Sequence, residues 1–168
     1  MDNDIKYRKR QVSLKVSGGA IIAMQAWILI KSVLQLLGNM DMITASMENS
    51  GIDDSFPIEI VVMIVCDIIF IIYFIFNYRL GKNAIEDALD HRRDKNGKRK
   101  KPYYLIGNVI FLVISILIFW YNFQNISLDS LDLTIISGIL YFLNIMFYVQ
   151  MLFSAIQINA IRRKAEAV

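Results

Sequence analysis

Four apolar stretches, each long enough to cross a bilayer, constrain this 168-residue chain more than any other feature. A hydrocarbon core of about 30 Å takes roughly 20 helical residues at 1.5 Å rise each. The stretches run from about 18 to 38, 57 to 78, 103 to 123 and 131 to 158. They are rich in β-branched residues but lack the alternation of apolar and polar positions that marks a barrel strand. Helices satisfy every backbone polar group in lipid, so length and pattern together favour them. Composition agrees: 56% of the residues are hydrophobic and only 20% charged, which excludes a disordered or collagen-like chain. The expected fold is an all-α integral membrane protein, four transmembrane helices in an up-down-up-down bundle, forming a single membrane domain over 1–168.

Charge orients the spans. Of eighteen lysines and arginines, five lie at the N-terminus (Lys6, Arg8, Lys9, Arg10, Lys15) and three near the C-terminus (Arg162, Arg163, Lys164). Nine more fall between Arg79 and Lys101, and Lys31 lies within the first span. The other two loops carry acids instead: Asp41, Glu48, Asp53, Asp54, Asp129 and Asp132. The positive-inside rule therefore places both termini and the 79–102 loop in the cytoplasm. The expected location is the plasma membrane, multi-pass, and the Ile-, Lys- and Asn-rich composition suits a bacterial cytoplasmic membrane. The first stretch is longer than a signal-peptide core, and the small residues Thr44-Ala45-Ser46 lie well beyond it, so it reads as a retained span. Asn125-Ile126-Ser127 fits a glycosylation sequon but sits against the end of the third span and reads as a chance match.

The middle loop begins with Leu80, Ala84, Ile85, Ala88 and Leu89 at helical spacing, so the second helix is expected to continue as an amphipathic extension that includes His91. Lys95-Asn96-Gly97-Lys98 reads as a turn. Lys98, Arg99, Lys100 and Lys101 form a basic cluster at the membrane surface, where anionic lipid attracts each base by about 1 kcal/mol. A nucleic-acid partner is not expected, since no aromatic interleaving or nucleic-acid motif accompanies the charges. Met40, Met42 and Met47 fall in the first outer loop, read as Asn39 to Phe56, and without a histidine or second cysteine they make a poor soft-metal site.

Polar groups inside the spans carry the functional question. Asp67 lies about ten residues into the second span, near mid-membrane, where an acid costs about 2.5–3.5 kcal/mol on insertion scales. Lys31 on the first span falls within one helical turn of the same depth in an antiparallel hairpin. The pair is open to two readings: a site exchanging a cation or proton, or a structural ion pair that fixes helix register. Gln25, Ser32 and Gln35 share a face with Lys31. The third span has Tyr104, Asn108, Phe111, Ser115 and Asn122 on one stripe, and the fourth has Ser137, Tyr141, Asn144 and Tyr148. These intervals are those of left-handed helix packing. A second row on the fourth span, Gln150, Ser154 and Gln157, is open to packing in another subunit or within one monomer. The candidate intramembrane polar site is thus Asp67, Lys31, Gln35, Asn108 and Asn144.

Catalysis is not expected. Cys66 and His91 each stand alone, which leaves no thiolate pair, no histidine metal site and no conventional triad. A four-helix redox enzyme of the vitamin K epoxide reductase type needs paired cysteines. Small multidrug transporters carry their intramembrane acid as a glutamate in the first helix, unlike Asp67. No cofactor or metal is expected. The reading is a non-catalytic accessory, regulatory or immunity-type protein acting on a membrane-protein partner or as a homo-oligomer. The alternative is a small oligomeric transporter or channel with Asp67 as coupling residue.

Overall fold

A computed structural model describes residues 2–50, 58–91, 93, 97, 101–124 and 131–166. They form four helices, α1 (Asp2–Ser50), α2 (Ile58–Ala88), α3 (Tyr104–Gln124) and α4 (Leu131–Glu166), with no strand among the described residues. Each has a segment long and apolar enough to cross a membrane: Asp4–Lys31, Ile68–Ala88, Tyr104–Tyr121 and Gly138–Lys164. The chain's two prolines, Pro57 and Pro102, both precede a helix rather than interrupt one, as the missing N–H and fixed φ of proline require.

Two expectations about helix ends change. Residues 39–50, read as the start of the first outer loop, are helical. That segment lacks proline, and its Met, Ala and Glu residues favour helix until Gly51. The side chains of Met40, Met42 and Met47 lie outside the described residues. At the other end, α2 does extend past the apolar stretch, but it stops at Ala88, before His91. Asp90 takes φ of 60°, and the His91 N–H donates to Glu86 O at 2.9 Å while the Asp90 N–H donates to Asp87 O at 3.3 Å. This pair of bonds is a Schellman stop, with aspartate in the left-handed position that glycine usually takes. Of the expected apolar face, Leu80, Ala84 and Ala88 are buried, whereas Leu89 is exposed.

The chain divides into two compact units, residues 1–24 with 77–168, and residues 25–76. In the second unit the described side chains of Ile64, Val65 and 68–72 face outward, as does Lys31. The first unit holds the described core: Leu14 and Ile21 of α1, Leu80, Ala84 and Ala88 of α2, Tyr104 of α3, and Tyr148, Met151, Ala155 and Ile158 of α4. Here α1 and α2 cross at Gly18 and Gly81. A Cβ on Gly18 would lie 2.8 Å from Gly81 O, and one on Gly81 would lie 2.6 Å from Gly18 O. Only glycine lets two backbones approach this closely, as in small-residue contacts between membrane helices.

Contacts order the helices of this unit. Asn108 meets Tyr148, Ser115 meets Asn144, and the Phe119 and Phe142 rings lie 6.5 Å apart. Positions therefore rise along α3 as they fall along α4, an antiparallel pairing. Between α2 and α4 the direction is shared, since Asn77 meets Tyr148 and Asp87 meets Arg162.

Candidate functional site: a four-helix ionic clasp

One end of the first unit is closed by a polar cluster to which each helix contributes one side chain. Each contributor lies in phase with a buried apolar row. Asp87 follows Leu80 and Ala84 on α2, Arg162 follows Ile158, Ala155 and Met151 on α4, and Tyr7 precedes Leu14 on α1 by two turns. Tyr104 opens α3 and is itself buried. Helical periodicity thus carries an acid, a base and two phenols into one place.

Their geometry saturates the charges. Arg162 Nη1 donates to Asp87 Oδ1 at 3.3 Å, and the Tyr104 hydroxyl donates to Asp87 Oδ2 at 2.8 Å. Arg162 Nε donates to the Tyr7 hydroxyl at 2.8 Å, with the guanidinium 5.3 Å from the Tyr7 ring centroid. Arg162 Nη2 donates to the backbone oxygen of Asp87 at 3.2 Å. That last bond adds a second donor to a carbonyl that already accepts from the Asp90 N–H, and sets the guanidinium at the negative end of the α2 dipole. Asp90 Oδ1 lies 3.6 Å from Arg162 Nη2, and Asp90 Oδ2 accepts from Arg93 at 3.3 Å. Two carboxylates and two guanidiniums alternate, so the cluster is neutral. The Asp87 and Arg162 side chains are only 2% and 11% exposed.

Further polar links follow inside the unit. Ser13 and Ser154 share a hydrogen bond at 2.9 Å, Gln150 donates to Ser13 Oγ at 3.0 Å, and Ser17 donates to the Ser13 carbonyl at 2.6 Å. The second polar row of α4 is therefore used, through Gln150 and Ser154, against α1 of the same chain. The Tyr148 hydroxyl donates to Asn77 Oδ1, and Asn108 Nδ2 donates to Tyr148 O at 3.1 Å.

Of the residues expected to form an intramembrane site, Asn108 and Asn144 are buried on α3 and α4, with Asn144 Nδ2 at 3.5 Å from Ser115 Oγ. Lys31 is exposed and belongs to the second unit. The side chains of Asp67 and Gln35 lie outside the described residues, as do Lys98, Arg99 and Lys100. Lys101 is exposed just ahead of α3. The clasp residues themselves were not anticipated as a site. The signal available was phase: an acid and a base each continue a buried apolar stripe. Among the described residues no three His, Cys, Asp or Glu side chains gather as a metal site.

Asn108 Oδ1 is buried and meets no hydrogen-bond partner. An orphaned acceptor costs about 1–3 kcal/mol, whereas the bond to Tyr148 O returns about 0.5–1.5 kcal/mol. Asn108→Leu is therefore expected to leave thermal stability unchanged or slightly raised in detergent. A clear drop in melting temperature would show that the carboxamide has a further role.

No family model matches the chain, and neither a curated protein nor a solved structure matches it.

Proposed function

We propose that this chain is a four-span, up-down-up-down plasma-membrane protein with both termini and the 79–102 loop in the cytoplasm. On this reading Lys98, Arg99, Lys100 and Lys101 rest on anionic lipid at the cytoplasmic face. It acts without catalysis, as an accessory, regulatory or immunity-type protein that binds a membrane-protein partner or a second copy of itself. The observation that supports this is the clasp: one side chain from each helix is spent on the others. Such saturation suits a fixed frame that presents its outer faces. A transport path would need polar groups free to exchange partners.

The test is photo-crosslinking in intact membranes from single positions on the outer faces of α3 and α4, Leu117 and Phe153, both exposed. A discrete adduct with one membrane protein, or a dimer of the 19.4 kDa chain, is the expected result. Smeared lipid adducts alone, together with solute flux in proteoliposomes that Asp67→Asn abolishes, would replace this reading with a transporter.

A further inference from the structure

Beside the clasp, α1 and α4 meet along a flank that mixes one cation, one amide and an aromatic ring. Gln150 Nε2 donates to Ser13 Oγ at 3.0 Å, and the Arg10 guanidinium lies over the Phe153 ring, 5.5 Å from its centroid. Ser13 follows Arg10 by three residues on α1, and Phe153 follows Gln150 by three on α4. The two helices run antiparallel here, since Tyr7 meets Arg162 and Ser13 meets Ser154. The four side chains therefore stand on neighbouring rungs, one helical turn apart.

Among the described residues no ion pair takes up Arg10. Glu86 faces Lys82 at 3.9 Å, and Asp87 and Asp90 are held by Arg162. The two helices of the flank supply no other acid nearby: α1 has none between Asp4 and Asp41, and α4 none between Asp132 and Glu166. An aromatic face attracts the guanidinium but accepts none of its five in-plane N–H groups as an oxygen would. On the four-span reading, Arg10 precedes the first span while Phe153 lies within the fourth. Their contact thus marks the cytoplasmic boundary of the hydrocarbon core, where the anions at hand are lipid phosphates.

We propose that this α1–α4 flank seats one anionic phospholipid, its phosphate on Arg10 and its glycerol ester on Gln150. The order of groups along the flank carries the assignment. Arg10 comes first from the cytoplasmic side, and the exposed Gln150 amide lies one turn inward. One of its two N–H groups goes to Ser13, and the other suits an ester carbonyl. Further inward along α4 the exposed side chains are apolar: Val149, Met146 and Phe142. Cation, amide and apolar row repeat the phosphate, ester and acyl chain of a phospholipid. An acidic protein segment or a soluble phosphate would match only the first of these. The inference rests on the four-span reading and is distinct from the basic cluster that ends at Lys101.

Native mass spectrometry of the full chain extracted from phosphatidylcholine vesicles doped with phosphatidylglycerol tests the seat. Arg10→Gln is expected to lower phosphatidylglycerol retention about fivefold, the loss of one base near the surface. Lys9→Gln removes the same charge from the adjacent exposed position and is expected to retain the lipid as wild type does, as is Arg10→Lys. Unchanged retention in Arg10→Gln overturns the proposal, and so do equal losses in Arg10→Gln and Lys9→Gln, which would mean diffuse attraction. Benzoylphenylalanine at 153, which keeps an aromatic ring and leaves Arg10 in place, gives a second readout should Arg10→Gln melt below wild type. It is expected to yield a discrete phospholipid adduct, while the protein adduct comes from Leu117. A protein adduct from 153 in place of lipid overturns the seat and leaves the partner-binding reading standing. A wrong topology would show independently in the labelling pattern of the loops.

Discussion

Arg162→Ala is expected to destabilise the folded chain by about 3–5 kcal/mol, the usual cost of leaving one member of a buried ion pair alone. Asp87 would lose the guanidinium while keeping the Tyr104 hydroxyl, and its carbonyl at the end of α2 would lose one of two donors. Asp87→Ala should cost less, about 3 kcal/mol, because Arg162 still has Tyr7 and Asp90 within reach. The combined change Asp87→Leu with Arg162→Met should recover most of the loss, since an apolar pair avoids the desolvation of two charges. Denaturant or thermal unfolding in one detergent measures all four proteins. If the two single changes each cost under about 1 kcal/mol, the value of an exposed ion pair, the clasp does not hold the helices.

Gly81→Val should act from a different cause. The added Cβ would stand 2.6 Å from the Gly18 oxygen and 2.7 Å from Ile22 Cγ1. Backbone cannot step aside as a flexible side chain can, so the cost falls at the upper end for overpacking, about 3 kcal/mol. Gly19 gives the control, because a Cβ there meets nothing within 4 Å. Gly19→Ala should raise helix stability by up to about 1 kcal/mol. A Gly81→Val protein that melts with wild type would mean that α1 and α2 do not cross where these glycines meet.

The four helices long and apolar enough to cross a membrane were legible because lipid imposes one pattern, about 20 apolar residues in a row. The packing stripes were legible too. Asn108 and Ser115, seven residues apart on α3, and Asn144 and Tyr148, four apart on α4, keep one helical phase and are buried. The helical stretch 39–50 was not legible, because acids and methionines beyond an apolar run look like a loop. The clasp was hidden for a different reason. Asp87 and Arg162 sit in segments whose charges already had an explanation as orientation signals, and 75 positions separate them. Counting charges for topology discards their phase, yet phase is what turns these two inward. Arg10 was likewise counted as part of a basic tail, although α1 packs from Tyr7 onward. The sequence could not say which partner the outer faces fit, since lipid-facing and partner-facing helix surfaces draw on the same apolar side chains.

The sidedness on which the functional proposal depends can be measured directly. Single cysteines at positions 54, 97 and 129, in a Cys66→Ser background, are exposed to a membrane-impermeant maleimide in intact cells and after permeabilisation. The account requires 54 and 129 to react from outside and 97 to react only once the membrane is opened. Labelling of 97 in intact cells, or release of the chain from membranes by alkaline carbonate, would contradict it.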